Sequence, residues 1–428
     1  MVAAPGGCYF FVAGTRPEAV KLAPVVHALR AAGQSTLVLA TGQHRELLHE
    51  ALAGFGLVAD RDLAIMRRSQ TPAEIIGALV PALVRECTAH RPAAVIVQGD
   101  TASAFAGAQA AAYARLPLVH VEAGLRSGSA EPFPEEMHRR AIAQLADVHF
   151  APTVAAAAAL RREGIADDAI RITGNTGIDA LLWIEARLAR DQALRQRLER
   201  RFAALPRTRP LILATVHRRE NHARLPDIVA ALATLARDAE IVIPVHPHPL
   251  VGGAMAALRD VAGVHLLPPL DYPAFVWLLR QAVLTLTDSG GVQEEAPALG
   301  VPVLVLRDTT ERPEGVADGN ARLVGTDPAA ILAACRGLLG DAAALRRMAE
   351  PSLPYGVGDA ATRIAGELIL RFGAGAETPE HRDESRKAGG DRPPIVDDDG
   401  RARDKAENGE AHRDAVIEPR RDRRAARH

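Results

Sequence analysis

The 428-residue chain carries 51 Lys and Arg against 52 Asp and Glu, a net charge of −1, with 48% apolar residues. That balance supports a large buried core divided over two or three domains, and it argues against nucleic acid or an anionic membrane surface as a partner. Aromatic residues make up only 4% beside long alanine-rich runs, which excludes an all-β chain. No apolar stretch approaches the ~18 residues of a membrane span, and no secretory signal is recognisable. Cys8, Cys87 and Cys335 are too widely spaced for zinc or a disulfide framework. They read as small buried hydrophobes in a reducing, cytoplasmic compartment.

In chain order, short β-like runs alternate with helical ones. The first half predicts strands at 8–13, 35–40, 93–97, 118–121, 147–150 and 170–173, with helices at 17–32, 43–53, 72–90, 101–114, 134–144 and 153–163. Runs such as Val95-Ile96-Val97 and Leu118-Val119-His120-Val121 read as buried parallel strands. One long helix is expected at about 178–203. A second βα series follows, with strands at 211–216, 240–245, 264–267, 283–287, 302–305 and 321–324, and helices at 224–238, 271–280, 290–299 and 328–339. The fold class is therefore α/β, two Rossmann-like doubly wound domains facing a central cleft, with ligands at the C-terminal ends of the strands. The expected boundaries are residues 1–174 and 175–357, then a helix at 358–372, with its return to the first domain left open by sequence. Residues 373–428 are densely charged and nearly free of large apolar groups, so a disordered tail is expected there.

The strand-end loops hold the chemistry. Gly14-Thr15-Arg16-Pro17-Glu18-Ala19 follows the first strand, and Lys21 lies one turn on. A glycine turn opening a helix presents N–H groups to an anion, while the absence of G-x-G-x-x-G argues against a dinucleotide. Gln98-Gly99-Asp100-Thr101, Glu122-Ala123-Gly124-Leu125-Arg126 and Pro132-Phe133-Pro134-Glu135-Glu136 bring three acids, Asp100, Glu122 and Glu135, to loops beside the cleft. Such acids suit general acid–base work, and clustering raises their proton affinity. The plainer alternatives are helix capping by Asp100 and solvent exposure of Glu135. In the second half, His217-Arg218-Arg219-Glu220-Asn221 suits a diphosphate, the alternative being a surface pair of Arg219 with Glu220. Val245-His246-Pro247-His248-Pro249 lacks a third ligand at metal spacing, so no metal is expected. Thr287-Asp288-Ser289-Gly290-Gly291-Val292-Gln293-Glu294-Glu295 runs from strand through glycines into a helix, a phosphate cradle in which Ser289 donates and Glu295 accepts from a ribose diol. Arg312 is a further cation at the cleft. Acids on one side and phosphate-binding groups on the other suggest a nucleotide-sugar enzyme.

Taken in order, these stretches, with Gln43-His44-Arg45-Glu46, Gly174-Asn175-Thr176 and Arg307-Asp308-Thr309-Thr310-Glu311-Arg312-Pro313-Glu314, resemble the non-hydrolysing UDP-N-acetylglucosamine 2-epimerases over about residues 8–370. The resemblance implies a GT-B-like fold, a homodimer, a UDP-sugar substrate and no cofactor. It implies interconversion of UDP-N-acetylglucosamine and UDP-N-acetylmannosamine by anti elimination of UDP to a 2-acetamidoglucal and re-addition. It maps the acid–base carboxylates onto Asp100, Glu122 and Glu135, and places Arg16, Lys21 and His217 near the diphosphate or the reacting sugar. Ser289, Gly290, Gly291, Glu295 and Arg312 become substrate-binding residues. Gln43, His44 and Arg45 fall near a second, allosteric UDP-sugar site of bacterial members. His138-Arg139 stands where the family often has Asn-Arg, and the loop at His246 and His248 carries histidine where asparagine is common. A 2-epimerase of a related UDP-2-acetamido sugar therefore remains open, as do a hydrolysing epimerase, a GT-B glycosyltransferase and a non-catalytic UDP-sugar sensor.

Overall fold

Thirteen strands, all paired in parallel, build two sheets in the described part of the chain. The computed structural model describes residues 7–67, 70–206 and 208–373; the expectation of a disordered charged tail falls, from 374 onward, outside them. The first sheet contains β1 (Tyr9–Ala13), β2 (Thr36–Ala40), β3 (Arg61–Asp62), β4 (Ala94–Gln98), β5 (Leu118–Val121), β6 (Val148–Ala151) and β7 (Ile170–Ile172), in the order β3-β2-β1-β4-β5-β6-β7. The second contains β8 (Leu211–Thr215), β9 (Glu240–Pro244), β10 (Val264–Leu267), β11 (Leu284–Thr287), β12 (Val303–Val305) and β13 (Ala321–Leu323), in the order β10-β9-β8-β11-β12-β13. Helices cover both faces, so the inner strands are mostly apolar: Phe11 sits between Val38 and Ile96, and Leu286 between Leu304 and Ala214. This is the doubly wound α/β architecture expected from the alternation. Among the described residues no single helix is long and apolar enough to cross a membrane.

The strand orders locate the site. Each sheet reverses its winding once, between β1 and β4 in the first and between β8 and β11 in the second. Loops leaving adjacent strands at such a switch point diverge and leave a crevice at their C-terminal ends. The loops concerned start at Gly14, Gly99, Val216 and Asp288.

Helix Thr176–Arg190 joins the two halves. It packs on Arg16–Ala31 from the first sheet and on Tyr272–Leu279 and Gly290–Ala298 from the second. The single helix expected at 178–203 is instead two, Thr176–Arg190 and Gln192–Arg201. Asp191 breaks it: its backbone is extended, its N–H closes the first helix on Arg187, and its carboxylate accepts from Leu194 N at 2.9 Å to start the next. The charged face runs on across the break, which hides it from periodicity. The strand β3 and the helices Pro249–Met255, Pro313–Ala317 and Ala342–Met348 were not foreseen. Each is shorter than the window over which a structural period shows.

The final described helix, Ala360–Phe372, lies against Arg16–Ala31 and Thr176–Arg190. Tyr9 Oη donates to the Leu368 carbonyl at 3.1 Å, and Ala361 N donates to Asp179 at 2.8 Å. Leu368 is fully buried in a core shared with Leu29 and Ile184. Leu368→Ala should lower the unfolding free energy by about 3 kcal/mol through lost burial and a residual cavity. Urea denaturation checks this, and an unchanged midpoint would mean that the helix contributes nothing to the fold.

Candidate active site

The loop after β1 turns into helix Arg16–Ala31 through a capping box. Glu18 is fully buried and its carboxylate accepts from Gly14 N at 3.0 Å and Thr15 N at 2.7 Å. Its other oxygen accepts from the Thr101 hydroxyl at 2.7 Å, which ties this loop to the one after β4. The expected anion turn at Gly14 is thereby corrected: its donors serve Glu18, and the loop offers cations. Arg16 is half-buried and reaches the second half, donating to the Leu270 carbonyl at 3.0 Å. Lys21 is buried and pairs with Glu122 while lying 3.8 Å from Glu294. A Cβ on Gly14 would collide with the Ser103 and Thr41 hydroxyls, which hydrogen bond to each other at 2.8 Å. Ser103 also donates to Gln43 at 2.8 Å, Arg45 pairs with Asp62 at 2.7 Å, and His44 is exposed at the start of helix Arg45–Gly54.

Asp100 is half-buried, and it does not cap the following helix; Thr101 does, accepting from Ala104 N at 3.0 Å. Its carboxylate pairs with Arg139 and its carbonyl meets His138 Nδ1 at 2.9 Å, while His120 Nε2 lies 2.8 Å from the Gly99 carbonyl. Glu135, grouped with the loop acids but also within the helix expected at 134–144, is the first residue of helix Glu135–Leu145, with its neighbour Glu136 buried against Arg139 and Arg140. Glu122 directly follows β5, and its side chain is only 7% exposed. Its φ of 62° lies in the left-handed region, a conformation that costs a non-glycine residue about 1–3 kcal/mol. Lys21, Gln98 and Asn175 hold it there, Asn175 Nδ2 at 3.0 Å.

In the second sheet, Asp288 is completely buried and accepts from His217 N, Arg218 N and Asn221 Nδ2 at 2.9–3.1 Å. It shapes the loop that carries His217, whose Nδ1 lies 3.4 Å from the same carboxylate and whose ring stacks on His246. Glu220 pairs with Arg307 at 2.5 Å, and the surface pair with Arg219 is not formed. Ser289 precedes helix Gly290–Ala298, and its hydroxyl makes no capping bond. Gly290 is required for close approach, since a Cβ there would stand 2.6 Å from Arg312 Cζ. Arg312 is buried against Glu294 at 2.7 Å and Glu311 at 2.6 Å, and its third nitrogen lies 3.8 Å from Glu122. Glu295 is buried, with Tyr272 Oη donating to its Oε1 at 2.9 Å.

The electrostatics correct one expectation. Clustering was to raise the proton affinity of the loop acids, but Glu122 shifts downward: burial would raise its pKa, and the Lys21 ammonium and Arg312 guanidinium outweigh it. Carboxyls raised in this region include Glu18, pushed up to about 7 by burial, Glu294, by burial with the charge of Glu122 adding, and Glu295, pushed up to about 7 by burial with Glu294 adding. Burial lowers the pKa of His217, with Arg218, Arg16 and Arg307 adding to it against Asp288. Glu311 is held far below the carboxylate range, since Arg312, Arg218 and Arg307 overcome its burial. Glu18, Asn175, Asp288 and Glu294 were not singled out from sequence as site residues. Only Glu18 left a usable signal, the Thr15-x-x-Glu18 capping pattern.

The sequence pattern of the UDP-N-acetylglucosamine 2-epimerase family matches residues 27–369. The chain is 45% identical over 364 residues to the UDP-N-acetylglucosamine 2-epimerase of Escherichia coli strain K12, covering 83% of this chain and 97% of that one. The structure of UDP-GlcNAc 2-epimerase from Neisseria meningitidis bound to UDP-GlcNAc aligns with a TM-score of 0.82 at 40% identity, over 85% of this chain and 99% of that one. The spinosyn rhamnosyltransferase SpnG, at 18% identity and a TM-score of 0.53 over 84% and 100% of the two chains, shares the GT-B-like fold alone.

Glu295 gives this region a pH signature. Its folded value of about 7 lies above the ordinary 4.5, so between those values the native state holds a proton that the unfolded chain has released. Its contribution to stability is full below about 4.5 and is lost as pH rises towards 7. Glu295→Gln should therefore gain stability relative to the parent as pH rises through that window, by up to about 1.4 kcal/mol per pH unit. Urea denaturation of both proteins at several pH values reads this difference, and a constant offset would place an ordinary carboxylate there.

Proposed function

The chain belongs to the UDP-N-acetylglucosamine 2-epimerase family and is an isomerase, and we propose that it interconverts UDP-N-acetylglucosamine and UDP-N-acetylmannosamine by elimination and re-addition of UDP. On this reading residues 1–174 supply the acid–base groups, residues 175–357 bind UDP, and the sugar lies between them. One carboxylate among Asp100, Glu122 and Glu135 takes the C2 proton. The C1–O bond breaks with its electron pair leaving on UDP, and a C1–C2 double bond forms as 2-acetamidoglucal. UDP then adds back at C1 while a second member of the set delivers a proton to C2 from the opposite face.

The observation that carries this reading is the meeting at Glu122 of groups from both sheets, Lys21 from the first and Arg312 from the second. It brings the carboxylate loops and the helix that starts after Ser289 to one crevice. Glu122 is held ionised and suits a base. The N–H groups of Gly290 and Gly291 at the start of helix Gly290–Ala298 suit a phosphate, and the free Ser289 hydroxyl is placed to donate to it. Arg16, reaching across to the Leu270 carbonyl, and His217, with its lowered pKa, flank the position where charge develops on the leaving oxygen. Glu295 Oε2, left over by the Tyr272 hydroxyl on Oε1, suits a ribose diol. Closure of the crevice over bound substrate would keep water from the glucal.

Asp100→Asn, Glu122→Gln and Glu135→Gln should each lower turnover by about 10²–10⁴ while UDP still binds, the range expected for loss of a general acid or base. Proton NMR of the two UDP-sugars measures the turnover and calorimetry the UDP binding. Turnover near that of the parent in all three variants would contradict the assignment.

A further inference from the structure

Asn175 stands where the chain passes from β7 into the connecting helix Thr176–Arg190, and it is almost completely buried. Its Oδ1 accepts from Gly177 N at 2.9 Å. Its amide nitrogen spans the two halves, donating to Glu122 Oε1 and to Glu294 Oε2, both at 3.0 Å. Glu294 is buried as well, and its Oε1 accepts from Arg312 Nε at 2.7 Å. Two carboxylates, one from each sheet, therefore share one amide and two cations, Lys21 and Arg312. Both amide hydrogens of Asn175 are engaged, and any displacement of the second half would withdraw Glu294 and Arg312 from Glu122 together.

We propose that Asn175 and Glu294 are positioning residues for Glu122: they hold its carboxylate in place and make its ionisation depend on the seating of the two halves. This rests on the reading of Glu122 as an acid–base group. The groups that face Glu122 are Lys21 from helix Arg16–Ala31, Gln98 from β4, Asn175, and Arg312 and Glu294 from the second half, with the buried His120 beyond them in β5. Glu294 is the negative member of that shell. Its charge raises the proton affinity of Glu122, opposing the two cations, so the two signs of perturbation separate. Glu294→Gln removes a negative charge with little change of shape. Asn175→Asp adds one at contact distance.

The test is the pH profile of kcat for epimerisation in the parent, Glu294→Gln, Asn175→Asp and Glu122→Gln, with UDP binding as the check that each variant is folded. Glu294→Gln should move the limb belonging to Glu122 to lower pH and Asn175→Asp should move it to higher pH, each by about one unit. Both should lower kcat by about tenfold or more with KM much less affected. A purely structural role would weaken both variants without opposed displacements of the limb. Unmoved limbs in the two variants, with Glu122→Gln inactive, overturn the positioning roles and leave the acid–base reading of Glu122 intact. An active Glu122→Gln overturns both. If Asn175→Asp fails to fold, the direction of the limb in Glu294→Gln decides: movement to lower pH supports the proposal, and no movement or the reverse overturns it.

Discussion

A single buried carboxylate, Glu122, is shared by a lysine from one sheet and an arginine from the other, and the cleft is organised around that pairing. Removing one partner of a buried ion pair costs about 3–5 kcal/mol, because the remaining charge has lost its water and gained nothing. The side chains of Lys21, Glu122, Glu294 and Arg312 are all largely withdrawn from water, so none can leave the set without stranding another. The halves of the molecule are thus held face to face by charges that satisfy one another only when both are present. The left-handed backbone of Glu122 belongs to the same constraint. A strained conformation at this point is held by three side chains, from β1's helix, β4 and the connecting helix.

The winding of the sheets explains why these residues meet. Parallel strands place their outgoing loops at one edge, and the reversals at β1/β4 and β8/β11 open a crevice in each sheet. Arg16 and Asp100 leave the first crevice, and His217 and Ser289 the second. Around them a layer of supporting contacts fixes the loops: Glu18 joins the β1 and β4 loops, His138 and Arg139 hold Asp100, and Asp288 gathers three donors to shape the His217 turn. Positive charge in the second half is moderated in the same way, since Glu311 takes contacts from Arg218, Arg307 and Arg312. The N–H groups of Gly14 and Thr15 are consumed by Glu18, whereas the Ser289 hydroxyl does not cap the helix that follows it.

Much of this was legible in the sequence. The βα alternation fixed the two-sheet class, and every strand but the two-residue β3 lies within a residue or two of its expected position, because buried parallel strands are short apolar runs with sharp ends. The loop acids and the Ser289-Gly290-Gly291 turn stood out by their place after strands. What remained hidden was the partner of each charge. Lys21 could be placed on a helix near the cleft, but that its ammonium is committed to Glu122 depends on a contact 101 residues away. The direction of the Glu122 shift was missed for the same reason: proximity of acids was visible, and the cations that outweigh them were not. The break at Asp191 was invisible because the amphipathic pattern continues across it.

The chemistry proposed for this crevice requires that the C2–H bond of the sugar be broken and remade during each epimerisation, with the proton passing through carboxylates in exchange with solvent. Proton NMR of the unmodified protein turning over UDP-N-acetylglucosamine in D2O tests that requirement most directly. Deuterium at C2 of the UDP-N-acetylmannosamine formed, and at equilibrium in both epimers, is the predicted result. Formation of the second epimer with its C2 proton retained would contradict it.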